Sequence, residues 1–187
     1  MWGRQCGKRL WYGVHAPGPR IEPLPGTITG IGIEVGIAAR SLWPRGILID
    51  CPYDQYAEAI ARTKALTADP TISAIFEAAL VFNRVLIRID VLERLPDGRW
   101  RLNEVKSSTR VKDEHLEELA LQALVIAAND LELADIYLVY INKGYARKGE
   151  INWNELFVSE DVTENIIPLL STVPRQIANM QRRVAVT

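Results

Sequence analysis

The segment Pro96-Asp97-Gly98 divides the stretch from Arg84 to Lys112 into two β-rich runs, and it constrains the fold more than any other feature of the chain. Proline presets φ, aspartate bonds its own backbone, and glycine accepts positive φ, so the stretch reads as a β-hairpin. A type I turn closed by Gly98 in the left-handed region makes a three-residue loop. Leu95 then pairs with Arg99, and counting outward puts Asp90 opposite Glu104. Directly opposed residues share a face, and Lys106 joins them because strand side chains repeat with period two. A two-residue loop would instead set Asp90 against Val105 and split the three polar residues between faces.

The preceding run, Thr71 to Phe82, is β-prone as well. With Asn83-Arg84 as a two-residue turn, Phe82 pairs with Val85 and Glu77 falls opposite Asp90. Glu77, Asp90 and Glu104 would then form a row of acids across three strands, with Lys106 beside them. Opposed like charges destabilise a sheet, and a divalent cation would remove that cost.

The chain has 187 residues, 48% of them hydrophobic, and no Ser/Gly-rich linker, which suits one domain with one sizeable core. Its 22 Lys and Arg against 23 Asp and Glu give a net charge of −1, so a polyanion site must be local. Cys6 and Cys51 are too few for a disulfide scaffold or a cysteine zinc site and fit a reducing compartment. The first ten residues lack the apolar core of a signal peptide, and no run is long enough to span a bilayer. The expected location is the cytoplasm, away from membranes.

In chain order, residues 1–25 read as a basic arm with a short helix through Lys8 to Tyr12, either solvated or contacting phosphate through Arg4, Lys8 and Arg9. His15 reads as a surface residue. Thr27 to Trp43 has helical apolar spacing at Ile31, Val35, Ala38, Ala39 and Leu42, although Gly30, Gly32 and Gly36 each weaken a helix by roughly 1 kcal/mol. Glu34 is either an exposed helix acid or a carboxylate turned toward the acid row. Ile47 to Ile49 is a short strand, and Tyr53 to Leu66 a helix burying Tyr56, Ala59 and Ile60. Asp113 is placed to cap a helix running to about Asn129, with Leu116, Leu119, Ala120, Ala123, Leu124 and Ala127 as its apolar stripe. Gln122 lies on or near the buried side, tied either to a polar site or to backbone. Ile136 to Asn142 is a buried strand. The tail, residues 155–187, reads as two helical pieces broken at Pro168 and Pro174.

Helix, three antiparallel strands, helix and strand make an α/β sandwich around a mixed sheet. Ile89-Asp90, thirteen intervening residues, Glu104-Val105-Lys106 and the later Gln122 resemble the PD-(D/E)XK nuclease superfamily, in particular its RecB-like branch. The wider text, with Gly32-Ile33-Glu34-Val35-Gly36, Ile75-Phe76-Glu77-Ala78-Ala79, Glu104 to Thr109 and Val111 to Leu116, is similar to an uncharacterised bacterial family of that branch. The likeness spans most of the chain from Cys6 to about Val162.

The resemblance implies a restriction-endonuclease-like αβββαβ core that cleaves DNA. It implies that Asp90, Glu104 and the Val105 carbonyl hold Mg²⁺ or Mn²⁺, and that Lys106 orients or activates the attacking water. Glu34 would stand where relatives place a histidine or glutamate, and Glu77 would be an additional acid. Gln122 matches the glutamine of a Q-x-x-x-Y motif whose tyrosine is replaced by Ile126. Relatives with an iron–sulfur cluster use four cysteines, so no cluster is expected here. The expected DNA contacts are Arg4, Lys8, Arg9, Arg110 and Lys112. A nuclease-like domain that binds nucleic acid or a protein without cleaving it is the alternative.

Overall fold

A computed structural model describes residues 7–16, 24 and 26–185. Helix α1 covers Gly7–His15, longer than the Lys8 to Tyr12 expected. Thr27 caps α2, Ile28–Ala39, by accepting the Gly30 N–H, and a 3₁₀ turn, Arg40–Leu42, follows. Strand β1 is Ile47–Leu48 and helix α3 is Tyr56–Ala68. The central strands are β2, Ala74–Phe82, β3, Val85–Arg94, and β4, Trp100–Lys106. After them come α4, Asp113–Ala127, and β5, Leu133–Ile141. The chain closes with a short α5, Trp153–Leu156, then β6, Phe157–Asp161, α6, Thr163–Leu170, and α7, Val173–Ala185. The six strands form one mixed sheet in the order β1-β2-β3-β4-β5-β6, flanked by helices.

Both hairpins take the expected registers. Leu95 N–H donates to Arg99 O at 2.8 Å, Gly98 N–H to Leu95 O at 2.9 Å, and Gly98 has φ +88°. The β3–β4 pairs run from Arg94–Trp100 to Val91–Asn103, so the next position sets Asp90 opposite Glu104. Phe82 pairs with Val85, and Asn83 and Arg84 both have positive φ, as a type I′ turn requires. Pairs 76–91 and 78–89 flank Glu77 and Asp90, so these too stand opposite each other in register.

At that position the sheet departs from simple alternation. Phe76 and Val91 join one core cluster, with α2 and Val105, whereas Ala78, Leu80, Ile87 and Ile89 join the other, with α4. Strict period two would keep residues 76, 78 and 80 on one face. Both strands therefore change face at Glu77 and Asp90, where Glu77 has φ +58°. Beyond the hairpins, β4, α4 and β5 form a parallel crossover, which lays α4 across the sheet. The outer side of α4 is covered by α6, so the helix is buried on most of its circumference.

Other expectations need correction. Lys112, not Asp113, occupies the N-cap of α4, without a side-chain bond, and Asp113 is the first helical residue, where its charge still favours the dipole. Helix α3 starts after Tyr53, and Tyr56 is 54% exposed because it sits in the first turn, at the rim. Ile31 and Ala127 are also exposed. The tail contains strand β6, which pairs with β5, and neither proline breaks a helix: Pro168 lies inside α6 and Pro174 in the first turn of α7, where a missing N–H costs nothing. Among the described residues no helix is long and apolar enough to cross a membrane. Cys6 lies outside the described residues.

Candidate functional site

Even-numbered positions of β4 face α4. Trp100 and Leu102 fill the apolar core beneath that helix, and Glu104 and Lys106 continue the row toward the strand end. An ionisable pair in this row needs polar partners, and α4 supplies them. Gln122 Nε2 donates to Glu104 Oε2 at 2.8 Å. Lys106 Nζ donates to Glu104 Oε1 at 2.6 Å and to Glu118 Oε2 at 2.8 Å. Glu118 and Gln122 are four residues apart, so both project from one helix face. Glu104 is 4% exposed and Gln122 3%.

Asp90 reaches the same place from β3. In the β3–β4 ladder Asn103 turns its N–H and C=O toward β3, and Val105, two residues on, does the same. The Val105 N–H donates to Asp90 Oδ2 at 2.8 Å. By the same alternation the Val105 carbonyl lies on the Asp90 side of the strand.

The electrostatics are those of like charges held together. Burial raises the Asp90 pKa well above the usual carboxylate range, and the Glu104 charge raises it further against the opposing pull of Lys106 and the Val105 N–H. Burial also raises Glu104, with Lys106 opposing. For Lys106, burial disfavours the ammonium, but Glu104 and Glu118 outweigh it and hold the pKa above the ordinary lysine value. Lys106 is therefore held as a cation and hydrogen-bond donor. His115, also buried on α4, has its pKa lowered by burial and by the Lys106 charge, and its Nδ1 has no partner.

Of the residues singled out from sequence, Asp90, Glu104, Val105, Lys106 and Gln122 come together. Glu77 does not join them. Its left-handed backbone turns its carboxylate to Arg40, 3.2 Å away, although its charge still reaches Asp90. Glu34 is exposed on α2, which packs through Val35, Ala38 and Ala39 against the other face of the sheet. Among the described residues no three His, Cys, Asp or Glu side chains group as a metal cage. Arg110 and Lys112 are exposed on the loop from β4 to α4, Lys112 lying 3.4 Å from Glu114. Lys8 is exposed on α1 beside Tyr12. Arg4 and the Arg9 side chain lie outside the described residues. Sequence reasoning missed Glu118, whose one signal is its place one helical turn before Gln122, and Arg40, which no local pattern ties to Glu77.

Two carboxylates and a carbonyl are hard oxygen donors of the kind a hydrated Mg²⁺ or Mn²⁺ accepts. The raised proton affinity of both carboxyls is the imbalance that a cation would discharge, so Asp90, Glu104 and the Val105 carbonyl fit such an ion. Lys106 and Gln122 each take one site on a different Glu104 oxygen, and each oxygen keeps a second lone pair for a cation. No protein-family model matches the chain, and no curated protein matches it either.

Proposed function

We propose that this chain is a metal-dependent nuclease hydrolysing phosphodiester bonds of DNA on a restriction-endonuclease-like αβββαβ core. The observation that carries the reading is the buried Glu104 beside the half-buried Asp90, with Lys106 held as a cation next to them, where β2 and β3 change face. Three antiparallel strands, a crossover helix and a strand parallel to the third support the fold reading.

Asp90, Glu104 and the Val105 carbonyl would hold Mg²⁺ or Mn²⁺, which when bound polarises the phosphoryl oxygen and lowers the pKa of a bound water. Gln122 fixes Glu104 in the ligating orientation. Glu118 keeps Lys106 charged and holds it at the site when Glu104 turns to the metal. Lys106 then donates a hydrogen bond to the phosphate or the attacking water, where its charge stabilises the transition state in a low-dielectric setting. Arg4, Lys8, Arg9, Arg110 and Lys112 contribute strand contacts, with the salt dependence of phosphate neutralisation.

A second reading, a nuclease-like domain that binds without cleaving, draws on the bonds that tie Lys106 and Gln122 to Glu104 and Lys106 to Glu118. Calorimetric titration with Mn²⁺, paired with cleavage of short single- and double-stranded substrates, separates the two. The nuclease reading expects metal binding that Asp90→Asn and Glu104→Gln lose, together with cleavage. Metal and DNA binding without cleavage favours the second reading, and wild type that binds no metal at millimolar concentration sinks the first.

A further inference from the structure

Among the described non-glycine residues with positive φ, Asn83, Arg84 and Asp130 sit in turns, and Glu77 lies inside a strand. Its φ of +58° is strain that no turn explains. The apolar residues on either side impose it. Ala74 and Phe76 belong to the core cluster on the α2 side and Ala78 and Leu80 to the cluster under α4, so residue 77 carries the whole change of face. Arg40 anchors the side chain: its terminal nitrogen donates to Glu77 Oε1 at 3.2 Å, and its guanidinium lies over the Phe76 ring, 5.7 Å from the centroid.

Strand β3 follows β2 because the two are paired on both sides of this position, from 74–93 to 76–91 and from 78–89 to 82–85. Strand β4 does not follow. Leu102 stays on the α4 side and Val105 on the α2 side, in strict alternation. One strand cannot match both neighbours, and the β3–β4 ladder stops at Val91–Asn103. Had it continued, Ile89 would stand opposite Val105, share its face and accept its N–H, as counting by twos from the bonded pair Leu95–Arg99 requires. Ile89 instead lies under α4, and the Val105 N–H donates to Asp90 Oδ2 at 2.8 Å. The Asp90 carboxylate fills the gap that the parting of the strands leaves in the ladder.

We propose that Glu77 is a positioning residue for Asp90: its backbone conformation, and not its carboxylate, parts β3 from β4 and so sets the Asp90 carboxylate in the plane of the sheet beside Glu104. The inference rests on the nuclease reading for what Asp90 then holds. Cation and phosphodiester do not touch Glu77, whose carboxylate stays with Arg40. A residue that acts through its backbone in this way is replaceable by glycine, which takes positive φ freely, and not by valine, whose branched side chain excludes it.

The test compares Glu77→Gly and Glu77→Val with wild type by calorimetric Mn²⁺ titration, by single-turnover cleavage of DNA in Mg²⁺, and by the ¹H–¹⁵N shift of the Val105 amide in EDTA. Melting curves report that each variant is folded, and Glu77→Ala, which meets the same strain with a smaller side chain, takes the place of a valine variant that is not. Glu77→Val is expected to lose about 10–100-fold in Mn²⁺ affinity, the scale of a lost supporting residue, with the Val105 shift displaced. Glu77→Gly is expected to rescue affinity and cleavage rate to within about threefold of wild type and to restore the Val105 shift. Glycine as damaging as valine assigns the effect to the carboxylate and overturns the proposal, and a folded Glu77→Val with wild-type affinity and shift overturns it as well. The Val105 shift needs neither metal nor substrate, so it separates the two readings. Wild type that binds no Mn²⁺, with a shift that moves in the valine variant and returns in the glycine one, removes the nuclease reading and leaves the positioning of Asp90 standing; cleavage with an unmoved shift in all three proteins does the reverse.

Discussion

Replacing Lys106 by methionine keeps the apolar stem and deletes the charge that stands 2.6 Å from Glu104 and 2.8 Å from Glu118. The Glu104 side chain is 5% exposed, so its carboxylate is left buried with the Gln122 amide as its remaining donor. Breaking a buried pair from one side costs about 3–5 kcal/mol. The Glu118 contact is more open to water and adds at most about 1 kcal/mol. In a chain of this size each kcal/mol lowers Tm by about 2–4 °C, so Lys106→Met is expected to melt about 6–24 °C below wild type in EDTA near pH 8. The loss depends on pH. Burial already raises Glu104, and without Lys106 it rises further. Between the ordinary carboxylate pKa and that raised value the folded state holds more protons than the unfolded state, so stability falls as pH rises and returns as pH falls. The gap to wild type therefore narrows on acidification to about pH 5, and Glu104→Gln in the same chain recovers most of it. Differential scanning calorimetry across that range is the assay. A Lys106→Met protein melting with wild type at about pH 8, or a gap that does not narrow with acid, refutes the reasoning.

Asp90→Asn retains an acceptor for the Val105 N–H and removes a carboxyl whose folded pKa is raised, so it should be more stable than metal-free wild type at neutral pH. That advantage should vanish below about pH 3.9, where the unfolded carboxyl is also protonated, and equal melting curves at neutral pH count against it. Mn²⁺ at about a hundred times its Kd should stabilise wild type by about 2.7 kcal/mol, or about 5–10 °C in Tm, and Asp90→Asn should lose most of that shift. Gly98→Ala places a side chain at φ +88° and should cost about 1–2 kcal/mol by urea denaturation, whereas no loss would question the three-residue turn.

What was legible in the sequence was local. The Pro96-Asp97-Gly98 turn sets its register through backbone preferences of those residues alone, and Asn83-Arg84 does likewise, so Asp90 could be set against Glu104 by counting. The orientation of Glu77 could not, because its positive φ is held by Arg40 and the change of face in two strands, both tertiary facts. Strand β6 escaped notice because Phe157-Val158-Ser159-Glu160-Asp161 is a short edge strand whose last three residues are exposed, leaving little alternation to read. Glu118 went unmarked, because its partner Lys106 is supplied by a strand and no local pattern joins the two. Pro168 suggested a break because its missing N–H weakens a lone helix, whereas α6 is held by packing against α4.

Single-turnover cleavage of end-labelled DNA by wild type, Lys106→Ala and Asp90→Asn, in Mg²⁺ and in EDTA, tests the central claim most directly, with Mn²⁺ titration of the same proteins beside it. The account predicts Mg²⁺-dependent cleavage by wild type alone. Lys106→Ala should bind metal yet lose at least about 100-fold in rate, the scale of a deleted transition-state donor, and Asp90→Asn should lose both metal and cleavage. Wild type that binds metal and DNA without cutting, or Lys106→Ala with unchanged turnover, would contradict it.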